Sequence, residues 1–280
     1  MSLNRVGVIG WPIEHSLSPA MHNAAFTALG MSDWYYDRIA IPPDIVRHSL
    51  NTLRGEGGYT GINVTVPHKQ AVMPYVEPDA RARALGAANT IDFRTNGATN
   101  TDVDGLLADL IAHDVPLKGE PVIVLGAGGA ARAAVYSLVQ AGARVTVVNR
   151  TREKAQVMLA DMTISAGIAG VMVKPLAEAA CDNVTLIVNC TPVGMWPQVD
   201  TCPWPDEVPF PAGVSVYDMI YRPEYTRLML KAEETGGRGI GGLGMLVRQG
   251  AESFRIWTGV EPPLDVMFAA CREALAARDD

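Results

Sequence analysis

The residues from 121 to 154 carry the clearest chemical pattern in the chain. An apolar run, Val122 to Leu125, is followed by Gly126, Gly128 and Ala131. This order predicts a buried parallel strand that turns sharply into a helix. The first glycine allows the turn, the second allows a phosphate to approach the backbone, and the small third residue allows close helix–strand packing. The segment therefore predicts a site for the pyrophosphate of a dinucleotide at the positive end of a helix.

The end of the next predicted strand indicates which dinucleotide binds. Strand 144–148 is followed by Asn149, Arg150, Arg152 and Lys154. An NAD-binding protein usually places an acidic residue at this point to accept a hydrogen bond from the ribose 2′-hydroxyl. A carboxylate would repel a 2′-phosphate, whereas a guanidinium binds one through two parallel hydrogen bonds. The segment therefore favours NADP over NAD, and the alternative is a glycine-rich turn that binds nothing.

A second set of polar side chains lies at predicted strand ends in the N-terminal part of the chain. Its members are Ser16, Ser18, Thr65, Lys69, Asn89 and Asp102. Taken singly, each has a structural explanation, since Ser18 and Asp102 could cap helices and Lys69 could be a solvated lysine. Together they place hydroxyls, an amide, an ammonium and a carboxylate at the edge where open α/β sheets bind ligands. The set suits a small polyhydroxylated acid.

The elements that must position these residues predict an α/β fold with two domains. We expect an N-terminal α/β substrate-binding domain over residues 1–103, completed by about 244–280, and a Rossmann-type, doubly wound dinucleotide-binding domain over 104–243. Ser18 is the predicted N-cap of the first helix, and residues 69–86 are predicted to be mostly helical. A glycine-rich loop at 236–244 is predicted to open a long helix.

Composition excludes several classes of function. A hydrophobic content of 48% and a charged content of 19% are typical of a globular protein. The net charge of −7 argues against nucleic acid as a main partner. We see no secretory signal and no uncharged apolar run long enough for a bilayer, so we expect a cytoplasmic protein with no membrane partner. The four cysteines lack paired metal-type spacing, so we expect free thiols and no metal.

Nine ordered blocks of sequence resemble the shikimate dehydrogenase family over essentially the whole chain. The blocks are residues 10–19 (GWPIEHSLSP), 63–69 (NVTVPHK), 88–90 (ANT), 100–102 (NTD), 126–130 (GAGGA), 149–151 (NRT), 189–194 (NCTPVG), 217–221 (YDMIY) and 242–249 (GLGMLVRQ). The resemblance implies the reversible, NADPH-dependent reduction of 3-dehydroshikimate to shikimate in aromatic amino-acid biosynthesis.

The resemblance also implies roles for individual residues. Ser16 and Ser18 would bind the substrate carboxylate, and Thr65, Lys69, Asn89, Asp102 and Gln249 would bind its hydroxyls and reacting oxygen, with Tyr221 lining the same pocket. The implied cofactor residues are Gly126, Ala127, Gly128, Gly129, Ala130, Asn149, Arg150, Thr151, Arg152, Lys154, Thr191, Met219 and Gly242. The first five would hold the pyrophosphate and the loop from Asn149 to Lys154 the 2′-phosphate, while Met219 and Gly242 would border the nicotinamide.

Lys69 and Asp102 are the expected catalytic residues. A protonated Lys69 could stabilise the developing alkoxide and then donate a proton, and a neighbouring carboxylate would favour the charged ammonium. Two alternatives remain open: a quinate/shikimate dehydrogenase with broader substrate or NAD use, and a non-catalytic NADP-binding sensor on the same fold. The expected partner is a small-molecule substrate, and the protein could be a monomer or a homodimer.

Overall fold

The computed structural model describes residues 3–279 and divides them into two compact units. The boundaries lie between Thr101 and Asp102 and between Leu246 and Val247. The first unit therefore contains the N-terminal segment and the C-terminal segment, and the second contains the residues between them. In the described part of the chain, no helix is both long enough and apolar enough to cross a membrane.

The first unit contains a six-stranded mixed sheet in the order β2-β1-β3-β5-β6-β4. Its strands are β1 (Asn4–Gly10), β2 (Trp34–Ala40), β3 (Tyr59–Val64), β4 (Glu77–Pro78), β5 (Thr90–Asp92) and β6 (Gly97–Thr99). Its N-terminal helices are α1 (Ser18–Ala28), α2 (Val46–Arg54) and α3 (Ala80–Leu85), with short 3-10 turns at Pro43–Ile45 and Met73–Tyr75. Strands β1, β2 and β3 are parallel, whereas β5 runs antiparallel to β3. Helix α2 buries Val46, Leu50 and Leu53, whose spacing places them on one face against this sheet.

The second unit contains a six-stranded parallel sheet in the order β12-β11-β10-β7-β8-β9. Its strands are β7 (Pro121–Leu125), β8 (Arg144–Val148), β9 (Met172–Val173), β10 (Leu186–Asn189), β11 (Ser215–Asp218) and β12 (Arg238–Gly241). Its helices are α4 (Asp102–Ala112), α5 (Gly129–Gln140), α6 (Arg152–Ala166), α7 (Leu176–Ala179) and α8 (Arg227–Glu234). Helix α9 (Leu243–Thr258) crosses the second boundary, and α10 (Leu264–Asp279) follows it. The order reverses between β7 and β10, which confirms the predicted doubly wound α/β class.

Three local predictions are wrong. The N-cap of α1 is Leu17, and Ser18 is the first helical residue. Residues 69–86 contain only a 3-10 turn, the short strand β4 and the six-residue α3, because Pro74 and Pro78 cannot supply helical N–H groups. The glycine-rich segment at 236–244 contains strand β12, which pairs in parallel with β11 before α9 begins.

Candidate active site

In the first unit, the predicted substrate residues lie at one edge of the sheet. Strands β1 and β3 are parallel and end side by side, with Ile9 opposite Val64. The backbone N–H of Thr65 extends this pairing by donating to Ile9 O at 2.9 Å. Because β5 is antiparallel to β3, its first residue lies beside Asn63 at the same edge, so Asn89 also lies there. Ser16 and Ser18, which follow β1, complete the set.

Asn89 and Gln249 are in direct contact although 160 positions separate them. Asn89 Nδ2 donates to Gln249 Oε1 at 3.2 Å and to Thr101 Oγ1 at 3.0 Å. The backbone N–H of Thr101 donates to Asn89 Oδ1 at 2.8 Å. An N–H group can only donate, so this bond fixes which end of the Asn89 amide is the oxygen. The orientation of the Gln249 amide follows, because its oxygen must face the Asn89 amide nitrogen.

A buried hydrogen-bonded chain connects Ser18 to Asn89. The Ser18 side chain is hydrogen-bonded to the Tyr36 phenol, and burial raises the pKa of that phenol well above its ordinary value. Tyr36 donates to Asn63 Oδ1 at 2.7 Å, and Asn63 Nδ2 donates to the Asn89 carbonyl at 3.1 Å. Ser16 joins this chain because its Oγ accepts a hydrogen bond from the Ser18 N–H at 3.3 Å. Four of the predicted substrate residues, Ser16, Ser18, Asn89 and Gln249, are thus held by one polar network.

Lys69 lies on the turn that follows β3, and its backbone is anchored on both sides. Its carbonyl accepts a hydrogen bond from Ala88 N at 2.9 Å, next to Asn89. The preceding residue, His68, is fully buried, and its Nε2 lies 2.7 Å from Ile41 O. The contact of His68 therefore holds the turn in place. The next residue, Lys69, is half-buried.

In the second unit, the predicted cofactor residues follow the carboxyl ends of five adjacent strands. The last residues of these strands are paired with one another across the sheet and form one row: Val148, Leu125, Asn189, Asp218 and Gly241. The residues that follow this row include the glycine turn after β7, the basic segment after β8, Thr191 after β10, Met219 and Tyr221 after β11, and Gly242 after β12. This is the edge at which doubly wound sheets bind dinucleotides.

Two glycines of the turn after β7 serve different purposes. Gly126 has a φ of +115°, and a Cβ added there would lie 3.3 Å from Cys190 O and from Thr191 Cγ2. Backbone conformation and packing therefore both require glycine at this position. Gly128 has an extended backbone, and a Cβ there would meet no heavy atom of the described chain within 4 Å. The space beside Gly128, at the N-cap of the twelve-residue α5, is open to a ligand such as a phosphate.

The basic segment after β8 is exposed and lies at the edge of the sheet formed by the row of strand ends. Arg150, Thr151, Arg152 and Lys154 are exposed, and Asn149 is half-buried. Asn149 Nδ2 donates to Thr151 O at 2.8 Å, which closes the loop before α6 begins at Arg152. The side chains of the segment can therefore reach an anionic ligand without a burial cost.

A second buried network orders the loops after β10 and β11. Thr191 Oγ1 donates to Asn189 Oδ1 at 2.7 Å, and Asn189 Nδ2 donates to Asp218 Oδ1 at 3.0 Å. Thr226 donates to the other oxygen of Asp218 at 2.7 Å. Burial raises the pKa of Asp218 to about 6, although these donors favour its charged form. The network links Thr191 to the loop that carries Met219.

Met219 and Gly242 are brought together by the close approach of their backbones. Met219 N donates to Asn189 O at 3.1 Å, and Gly242 N donates to Ile220 O at 3.0 Å. A Cβ at Gly242 would overlap the carbonyl of Met219. Glycine is therefore required at this position by the backbone next to it.

Asp102 and Tyr221 belong to the second unit, unlike the other predicted substrate residues. Asp102 is the first residue of α4 and is buried, whereas Tyr221 is half-buried after β11. Sequence reasoning did not select the residues that bridge the predicted ligands, namely Tyr36, Asn63, Thr90, Thr101, Asn189, Asp218, Thr226 and Ser253. Most of these lie inside or directly beside the matched sequence blocks, but their types alone did not distinguish a bridging residue from a packing residue.

Comparison with known proteins covers both units. Three family models match: the shikimate dehydrogenase substrate binding domain at residues 8–91, shikimate / quinate 5-dehydrogenase at 107–191, and the shikimate 5′-dehydrogenase C-terminal domain at 242–272. The chain is 44% identical over 270 residues to the shikimate dehydrogenase (NADP(+)) of Methanocella arvoryzae, an alignment that covers 96% of this chain and 98% of the relative.

Two crystal structures are similar over nearly the whole chain. A shikimate dehydrogenase in complex with NADP+ has a TM-score of 0.90 and 34% identity, covering 98% of this chain and 96% of its own. The shikimate 5-dehydrogenase of Thermus thermophilus, in complex with NADP(H) and shikimate, has a TM-score of 0.88 and 36% identity, covering 98% of this chain and all of its own (100%). The predicted family is confirmed, and the names of these relatives agree with the predicted oxidoreductase activity and NADP cofactor.

Proposed function

The chain belongs to the shikimate dehydrogenase family, and on this premise we propose that it catalyses the reversible reduction of 3-dehydroshikimate to shikimate with NADPH. The observation that carries the proposal is the single row of strand ends in the second unit. That row aligns the glycine turn, the exposed basic segment and the Met219–Gly242 pair along one sheet edge. The open space at Gly128 and the absence of an acidic residue at positions 149–152 fit a phosphorylated dinucleotide.

The residues of the second unit bind and orient the cofactor, which supplies hydride when bound. Gly126 to Ala130 hold the pyrophosphate at the N-terminus of α5, where backbone N–H groups lack helical partners. Arg150, with the neighbouring residues Asn149, Thr151, Arg152 and Lys154, holds the 2′-phosphate. Thr191, Met219 and Gly242 border the nicotinamide, and the Asn189–Asp218 bond holds their loops in place.

The residues of the first unit bind the substrate. Ser16 and Ser18 bind the carboxylate, while Thr65, Asn89 and Gln249 bind ring hydroxyls. Tyr221, of the second unit, is a further proposed substrate-binding residue. Gln249 suits this role because its amide oxygen faces Asn89, which directs the NH₂ group, a donor, elsewhere.

Lys69 and Asp102 form the proton-transfer unit of the proposed reaction. In the reducing direction, hydride adds to the carbonyl carbon and the π electrons of the C=O bond move to the oxygen. Lys69 donates a proton to the resulting alkoxide. In the reverse direction, the neutral Lys69 accepts the proton as the hydroxyl carbon gives up hydride. Asp102 is the second member of this unit, in the supporting role that the sequence resemblance implies.

A spectrophotometric assay tests the proposed function. Purified protein should oxidise shikimate with NADP and give an absorbance increase from NADPH, with much lower rates when quinate replaces shikimate or NAD replaces NADP. Comparable rates with quinate or NAD would establish a broader dehydrogenase. Binding of NADP without turnover of either acid would establish a non-catalytic sensor and overturn the proposal.

Variants of Lys69 and Asp102 test the proton-transfer unit. Lys69→Ala should lower kcat about 10²–10⁴-fold, the usual range for a positioned acid–base group, with a smaller change in the shikimate KM. Asp102→Asn should also lower kcat, and the double variant should lose much less than the product of the two single losses. Near-normal turnover of a folded Lys69→Ala variant, checked by its melting temperature, would refute the assignment.

A further inference from the structure

Ser253 is a fully buried serine at the centre of the polar network of the first unit. It lies one turn after Gln249 on α9, and its Oγ donates to Gln249 O at 3.1 Å. The same Oγ accepts from Asn63 Nδ2 at 2.8 Å and lies 2.8 Å from Thr90 Oγ1. One hydroxyl therefore touches the segments that carry Asn63, Asn89 and Gln249, which are far apart in sequence.

The direction of the Thr90 hydroxyl proton follows from its amide neighbour. Thr90 Oγ1 lies 3.0 Å from Asn89 Oδ1, and because an amide oxygen only accepts, Thr90 must donate this bond. Thr90 Oγ1 then accepts from Asn63 Nδ2 at 3.1 Å and from Ser253 Oγ at 2.8 Å. The Ser253 proton is thus shared between Thr90 Oγ1 and Gln249 O, and the single proton of Thr90 is committed to Asn89.

Ser253 is connected to Gln249 by two routes. Asn89 Oδ1 accepts from both Thr90 and Thr101 N, which holds the oxygen in place and turns the amide nitrogen toward Gln249 Oε1. Ser253 also bonds the Gln249 carbonyl, so it acts on both the backbone and, through Thr90 and Asn89, the side chain of that residue. A buried hydroxyl that only stabilised α9 would need the carbonyl bond alone.

We propose that Ser253 is a positioning residue for substrate binding, which holds Asn89 and Gln249 against each other through its bonds to Thr90 and to the Gln249 carbonyl. This inference rests on the proposed function, because it assumes that these two amides contact the substrate. In this role Ser253 acts through Asn89 and Gln249. Its loss should therefore alter the affinity for the polyhydroxylated acid and leave the dinucleotide site of the second unit unchanged.

The experiment compares Ser253→Ala with a matched control, Ser137→Ala. Ser137 is also a fully buried helical serine, and its Oγ donates to the carbonyl four residues earlier, Ala133 O, at 2.7 Å. Ser253→Ala should raise the shikimate KM about three- to tenfold, the range for one lost hydrogen bond, with an unchanged KM for NADP. Ser137→Ala should lower the melting temperature, because it also removes a buried hydrogen bond, and it should leave the shikimate KM unchanged.

A double variant tests whether Ser253 acts through Gln249. Gln249→Ala alone should raise the shikimate KM, and Ser253→Ala with Gln249→Ala should raise it by less than the product of the two single effects. The positioning role would be overturned if the double variant raised the shikimate KM by the full product of the two single effects. It would also be overturned if Ser253→Ala left the KM unchanged while Gln249→Ala raised it. Neither outcome would affect the proposed function. Failure of the unmodified protein to oxidise shikimate would instead overturn the proposed function, and this inference with it.

Discussion

Arg150 carries the choice between the two nicotinamide dinucleotides. Its side chain is exposed two residues after the end of β8, next to Asn149, which stands where an acidic residue would select NAD. Loss of a bidentate guanidinium–phosphate contact costs roughly 1.5–3 kcal/mol, so Arg150→Ala should raise the KM for NADP by about tenfold to 150-fold. The KM for NAD should change little, because NAD lacks the 2′-phosphate. Steady-state kinetics with both cofactors measure the difference.

Lys118→Ala provides a control with the same change of charge. Lys118 is exposed and precedes β7, so it lies at the opposite edge of the same sheet. This variant should leave both cofactor KM values near those of the unmodified protein. Equal losses for NADP and NAD in Arg150→Ala would mean that the arginine does not contact the 2′-phosphate.

The position of a single residue in the fold can be predicted from the sequence where the residue lies close to a strand end. Ser16, Thr65 and Asn149 were selected because each follows or precedes a recognisable apolar strand. Ser253 could not be selected, since its contact with Asn63 joins positions 190 apart in the chain. Only the packing of α9 against the sheet reveals which hydroxyl meets which amide.

At the scale of elements, the turn between β7 and α5 separates folding from ligand binding. Gly128 has an extended backbone that alanine can adopt, and the added Cβ would meet no described protein atom within 4 Å. Gly128→Ala should therefore fold with a loss of at most about 1 kcal/mol, the range for a changed N-cap. A bound pyrophosphate would meet the new methyl group, so the KM for NADP should rise about tenfold or more.

Gly126→Ala should behave in the opposite way. Its φ of +115° and the 3.3 Å approach of Cys190 O penalise any side chain in the folded state itself. Thermal unfolding of the two variants, with and without NADP, distinguishes the effects. A Gly128→Ala protein that binds NADP normally would show that the pyrophosphate does not approach this glycine.

Elements with regular apolar patterns were predictable, whereas elements made by glycine or proline were not. Strand 144–148 was predicted to the residue because its β-branched run leaves a clear signature. The glycines of strand β12 predict a loop, whereas the structure contains a strand there. A Cβ at Gly239 would lie 2.6 Å from Met229 Cβ, so glycine there permits close packing of α8 on the strand. The sequence shows the small residue but not the helix that requires it.

At the scale of the whole molecule, each unit contains a buried titratable group with a displaced pKa, and the two respond oppositely to pH. Burial raises the pKa of Asp218, in the second unit, from 3.8 to about 6. Burial lowers the pKa of His22, in the first unit, from 6.5 to about 3. In both cases the neutral form is favoured in the folded protein. Acid should therefore favour the folded state through Asp218 and oppose it through His22.

Asp218→Asn should remove a stabilisation that appears in mild acid. The folded protein binds the Asp218 proton more tightly than the unfolded chain, so its contribution is fully present below pH 3.8 and is lost as the pH rises through 6. From pH 7 to pH 5, the unfolding free energy of the unmodified protein should increase by about 1 kcal/mol relative to Asp218→Asn. Urea unfolding at both pH values measures this difference, and parallel pH profiles would contradict the prediction.

His22→Leu should remove a destabilisation that grows in the same range. The His22 ring stacks on Tyr36 at 4.3 Å, and neither of its nitrogens has a hydrogen-bond partner among the described residues. Its stabilising contribution is present above pH 6.5 and is lost as the pH falls toward 3, because only the unfolded chain binds the proton readily. From pH 7 to pH 5, the unmodified protein should lose about 2 kcal/mol relative to His22→Leu. The same substitution at the exposed His48 provides the matched control. A His22→Leu profile parallel to that of the unmodified protein would mean that His22 is accessible to protons in the folded state, and the acid sensitivity of the first unit would then require another group.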